Sequence, residues 1–164
     1  MTEHERDIHW LQRTIELADD AVVEGNHPFA SVLVGADGEL MMEGKNEHLI
    51  DKGPGHAETN LARRAAREFS LEELHGATLY TSVEPCCMCS GTIYWAEIRS
   101  VVFGMTEKRL GELTGDDPAN ATQDLDCRTV FASGAYVTEV RGPYPELEER
   151  IVEQHIHFWN PSGA

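Results

Sequence analysis

Apolar positions in the first two dozen residues recur at spacings of three and four: Ile8, Leu11, Ile15, Ala18 and Val22. That stripe predicts an amphipathic helix over about 4–24, stopped by Gly25, Asn26 and Pro28. The period then changes. Phe29 to Val34 is a short β-prone run, Ala36-Asp37-Gly38-Glu39 is a turn, and Leu40 to Lys45 is a second strand, so the pair reads as a hairpin. Lys52-Gly53-Pro54-Gly55 is a loop. Beyond it Ala57, Leu61, Ala65 and Phe69 fall on one face of a helix over about 56–69. Ala77 to Ser82 is a strand, Pro85 sets a turn, and a helix follows over about 86–96. Val101 to Gly104 is the next strand. Residues 106–134 read as irregular with short helical pieces, one around Cys127 to Phe131. Ala135 to Val140 is a fifth strand and about 145–158 a final helix. Strands alternating with helices predict an α/β layer architecture.

The 164 residues suit one domain, 1–164, with a single core. No stretch approaches the roughly 18 consecutive apolar residues of a membrane helix. Met1 to Trp10 lacks the apolar run of a secretory signal, so a cytoplasmic protein is expected. Charge changes the picture more. Lys and Arg total 13 against 29 Asp and Glu, a formal −16. Such a surface repels phosphate backbones, whose neutralisation supplies much of nucleic-acid affinity. Arg63, Arg64 and Arg67 are spaced as a solvated helix face. The balance points to a small free base or nucleoside rather than a nucleic acid.

The chemistry concentrates in two segments, His56-Ala57-Glu58 and Pro85-Cys86-Cys87-Met88-Cys89. Cys86 and Cys89, three apart at a helix start, put both sulfurs on one face, where they can share a metal. A helix N-terminus favours thiolates. With His56 they form a compact N/S set suited to zinc, Zn²⁺, with a fourth position open for water of pKa about 7. Glu58 is placed to shuttle that water's proton. A redox pair of Cys86 and Cys89 would leave His56 and Glu58 without a role. A closed structural site would need a fourth protein ligand, and neither Cys87, Cys127 nor His48 has the spacing for it. Cys87 and Cys127 read as packed thiols, and His155 and His157 as surface or interface residues.

These residues resemble the cytidine/deoxycytidylate deaminase superfamily, whose histidine-x-glutamate and proline-cysteine-x-x-cysteine signature they carry. Pro28 to Val34, Leu79 to Glu84 and Ile93-Tyr94-Trp95-Ala96 are similar to the branch holding guanine deaminase, fungal cytosine deaminase and the tRNA adenosine deaminases. The resemblance implies a three-layer α/β/α fold with a mixed five-stranded sheet in which strand 5 lies parallel to strand 4. It also implies a homodimer with Tyr94 and Trp95 at its interface. The implied substrate contacts are Asn46, Phe29, Ala57, Glu84 through its backbone carbonyl, and Phe158 and Trp159 as an aromatic C-terminal lid. Ala30 stands where guanine deaminase members carry glycine, which implies a different pocket floor.

The expected activity is hydrolytic deamination of a free nucleobase or nucleoside, of guanine or cytosine type, with a slight tilt toward a purine. A tRNA adenosine deaminase is the alternative that the −16 charge opposes. A catalytically silent zinc-binding interaction module is the other, which gives Glu58 no use.

Overall fold

The computed structural model describes residues 1–115 and 117–162. In chain order the helices used below are α1 (Glu3–Val23), α2 (His48–Asp51), α3 (Ala57–Glu68), α4 (Leu71–Gly76), α5 (Cys87–Trp95), α6 (Glu107–Thr114), α7 (Cys127–Ala132) and α8 (Pro145–Trp159). The strands are β1 (Ala30–Val34), β2 (Leu40–Lys45), β3 (Thr78–Val83), β4 (Ser100–Met105) and β5 (Glu139–Arg141). They form one sheet in the order β2-β1-β3-β4-β5. β1 is antiparallel to β2 and β3, whereas β3, β4 and β5 are mutually parallel. The strand 5–strand 4 pairing is therefore parallel, and the long 106–134 connection supplies the crossover that such a pairing needs.

β1, β3 and β4 are buried almost throughout, as central strands covered on both faces must be. Leu11, Ile15, Ala18 and Ile151 pack from α1 and α8 with Val32, Tyr80 and Val102. Leu61, Ala65, Ile93 and Phe131 pack from α3, α5 and α7 with Leu33, Leu79 and Phe103. Alternate residues of one strand thus feed two cores, giving helix, sheet and helix layers. Gly44 permits the closest approach: a Cβ there would sit 2.7 Å from Leu61 Cβ and 2.9 Å from the Ala57 carbonyl. This draws the start of α3 onto β2.

Four features differ from expectation. Segment 106–134 contains a regular helix, α6, capped by Thr106 accepting from Arg109 N; Gly111 and Gly115 interrupt the pattern that would reveal it. α4 was unmarked by periodicity, although Ser70 and Glu73 form a capping box at its start. β5 begins only at Glu139, because Tyr136 turns aside to stack on Tyr94 with ring centroids 4.5 Å apart. Val22 is exposed, while Asp7 and Thr14 take buried positions on α1.

Candidate active site

One edge of the sheet gathers the chemistry. β3 and β4 run toward it and β1 runs away from it, so Phe29 before β1, Asn46 after β2, Glu84 after β3 and Glu107 after β4 meet there. The carboxyl ends of parallel strands are where α/β sheets bind ligands. α3 and α5 begin at the same edge, with His56 and Cys86 as their N-cap residues.

His56 Nδ1 lies 3.5 Å from both Cys86 Sγ and Cys89 Sγ, and one donor atom from each residue falls within 4.8 Å of the others. Tetrahedral zinc bonds of about 2.0 Å to nitrogen and 2.3 Å to sulfur place N and S roughly 3.6 Å apart. The two nitrogen–sulfur spacings therefore fit a single zinc-sized ion. The Cys86 thiol is drawn down to about 4 by the Cys89 thiol that donates to it, against burial, with His56 assisting. Cys89 is correspondingly held up, and Thr59 Oγ1 lies 3.3 Å from its sulfur. Burial works to lower His56, but its hydrogen bond to Cys86 together with the nearby Glu58, Cys86 and Glu107 charges outweighs that and raises it.

Glu58 is buried beside this set, in the first turn of α3. Thr81 donates to its Oε1 at 2.8 Å, and the Cys89 thiol approaches Oε2 at 3.4 Å. Burial pushes its carboxyl above the usual range. Phe29, His56, Glu58, Val83, Glu84, Cys86, Glu107, Leu110 and Asn120 line one narrow cleft. The Phe29 ring lies nearly parallel to that of His56, 6.5 Å between centroids.

The other sequence-derived positions sit differently. Asn46 is buried outside the lining, with Oδ1 accepting from His27 N at 3.2 Å and His48 N at 3.0 Å. Ala57 is fully buried at the start of α3. The Glu84 side chain is a brace: Oε2 accepts from Glu107 N at 3.1 Å and Oε1 from Cys127 N at 2.9 Å, which pins α6 and α7 to the end of β3. Phe158 and Trp159 pack edge-to-face on each other and against His27, beside rather than within the lining. His155 is not a surface residue. It is wholly buried against Phe29 and accepts from Trp159 Nε1 at 3.1 Å, and burial lowers it to about 3. Cys127 is packed, but Cys87 is half-exposed and reaches Gln123 Oε1 at 2.8 Å.

Sequence reasoning missed Thr81, Glu107 and Asn120. Thr81 is one alternating residue in a buried strand. Glu107 was findable from its place just past a strand's carboxyl end, where α/β clefts form. Burial pushes the Glu107 carboxyl up to about 8, with the Cys86 and Glu58 charges adding to it.

Residues 4–105 match the family described as the cytidine and deoxycytidylate deaminase zinc-binding region. A probable cytosine deaminase of Schizosaccharomyces pombe is 31% identical over 95% of this chain and 94% of that protein. The guanine deaminase of Bacillus subtilis is 36% identical over 66% of this chain and 70% of its own. The solved guanine deaminase from Nitrosomonas europaea shares the fold, with a TM-score of 0.66 at 21% identity over 89% of this chain and 82% of that one. The matched span contains His56, Glu58, Cys86 and Cys89 on the geometry described, and the chain belongs to the cytidine and deoxycytidylate deaminase family of hydrolases acting on C–N bonds.

Proposed function

We propose that the protein is a zinc-dependent deaminase of a free nucleobase, of guanine or cytosine type. The observation that carries the reading is the 3.5 Å spacing of His56 Nδ1 from both cysteine sulfurs, with Glu58 buried alongside. A zinc ion there would supply a water acidified to a pKa of about 7. The chain supplies the rest. Glu58 would take the water's first proton through Oε2 and pass it to the ring nitrogen, then take the second proton from the hydroxyl so formed and pass it to the amine, which leaves as ammonia. Thr81 holds Oε1 and so fixes which oxygen is free to act. Phe29 offers a face for a planar ring beside His56. Asn46, its Oδ1 committed to two backbone amides, keeps Nδ2 as the end that donates to a base. Phe158 and Trp159 close the neighbouring flank around His27. Trp95, 83% exposed on α5, supports a homodimer through that helix, whereas Tyr94 is tied internally to Ala135 N and Tyr136.

The test is ammonia release from guanine, cytosine, adenine and their nucleosides by zinc-loaded protein, with tRNA as a parallel substrate. Release from a free base is the expected result. Turnover of tRNA adenosine alone, or of nothing, would refute the reading.

A further inference from the structure

Two polar side chains in the cleft have no partner among the described residues and no place in the chemistry above. Glu107 is 9% exposed, and no group donates to its carboxylate. Its backbone is fixed twice, by Glu84 accepting from its amide at 3.1 Å and by the Thr106 cap on α6. The carboxylate therefore stands on a rigid mount. Asn120, from the loop ahead of α7, lines the same cleft, and its Nδ2 is buried without a hydrogen-bond acceptor. Asn120 Nδ2 is buried and unpaired, which is costly, and the Glu107 carboxyl faces the cleft without a donor among the described residues, so each is a place where a ligand completes the count. One is an acceptor and the other a donor.

Resting on the deaminase reading, we propose that Glu107 and Asn120 together determine specificity by reading a lactam edge of the substrate ring. A Glu107 carboxyl oxygen accepts from a ring N–H, and Asn120 Nδ2 donates to the adjacent ring carbonyl. Guanine and cytosine both present an N–H beside a C=O. Adenine has no carbonyl, and a base alkylated at that nitrogen has no N–H. The pair thus selects free, lactam-bearing aminated rings and disfavours adenine and N-substituted forms. Leaving a buried donor or acceptor unpaired costs about tenfold or more, and sites built for such bonds reject analogues that lack them.

The experiment takes whichever of guanine or cytosine the wild type turns over, together with its 1-methyl derivative and adenine. kcat and KM are measured for wild type, Glu107→Ala, Glu107→Leu and Asn120→Ala, alongside zinc content and melting temperature. The wild type should favour the unmethylated base over the 1-methyl form by at least about tenfold. Glu107→Ala should raise KM on the unmethylated base by a similar factor, with kcat less affected, and bring the ratio toward one while zinc content stays at one per chain. Asn120→Ala should weaken the preference over adenine. Glu107→Leu, which keeps much of the volume and removes both acceptors, reads the same ratio should the alanine variant misfold. An unchanged ratio in Glu107 variants of an active enzyme overturns this inference alone. Absence of turnover by the wild type on every base overturns the deaminase reading and this inference with it.

Discussion

Two buried carboxylates, Asp7 and Glu107, separate the structural from the chemical end of this molecule. Asp7 on α1 accepts from Tyr80 Oη at 3.0 Å, from Arg141 Nε at 2.8 Å and Nη2 at 3.1 Å, and from Tyr144 Oη. Burial works to raise it, but these donors outweigh that and hold it below the usual carboxylate range. The network ties α1, β3, β5 and the start of α8 together on one side of the sheet. Glu107, past the carboxyl end of β4, has no such donors among the described residues, and burial raises it to about 8. Burial therefore has opposite meanings: with partners it is architecture, without them it is capacity for a ligand.

The sharpest break of this comparison is in the cleft. Glu58→Gln should lower turnover by roughly 100-fold or more, the scale of general acid–base catalysis, with zinc content and melting temperature preserved. Retained turnover would remove Glu58 from proton transfer. On the architectural side, Asp7→Asn should cost roughly 3 kcal/mol of stability by leaving the half-buried Arg141 short of its partner. Urea unfolding measures this, and residual activity per folded molecule should match wild type. A loss below about 0.5 kcal/mol would show the network to be dispensable.

The smallest effect, reckoned per pH unit, concerns acid. His155 is held neutral when folded, at about 3, against 6.5 for the free side chain. The unfolded chain therefore takes up the extra proton, and stability falls as pH drops from about 6.5 toward 3, by at most about 1.4 kcal/mol per pH unit from this group. Asp7 adds a loss of the same sign only below about pH 4, where its carboxylate must protonate. His155→Phe should flatten the slope between pH 6.5 and 4.5 and leave the steeper acid limb to Asp7. Parallel slopes for variant and wild type would mean that His155 is accessible to protons in the folded state.

The elements with a clean period were legible: α1, the β1–β2 hairpin, α3 and α8 stand close to where the stripes put them. The short segments were not. α4 and α6 have too few turns for a periodic signal, and β5 was overextended because Tyr136 and Val137 have strand-like chemistry but serve a turn against Tyr94. In the site, His56, Glu58, Cys86 and Cys89 were legible because each sits within three residues of another at a helix start, where local spacing fixes side-chain direction. His155 misled because an imidazole two residues from another on a helix gives no sign of which one the core will cover.

Sequence by itself determined the donor types, their local spacing at two helix starts, the acidic charge balance and the alternation of strands and helices, since these depend only on neighbours a few residues apart. Only the tertiary structure decided that Phe29, Asn46, Glu84 and Glu107 meet at one sheet edge, that Thr81 meets Glu58, and that Glu84 is consumed as a brace while Glu107 is left unpaired among the described residues. Those outcomes depend on which groups pack together across the sheet. Hydrogen-bond partners taken in one place are unavailable in another, and no local pattern records that allocation.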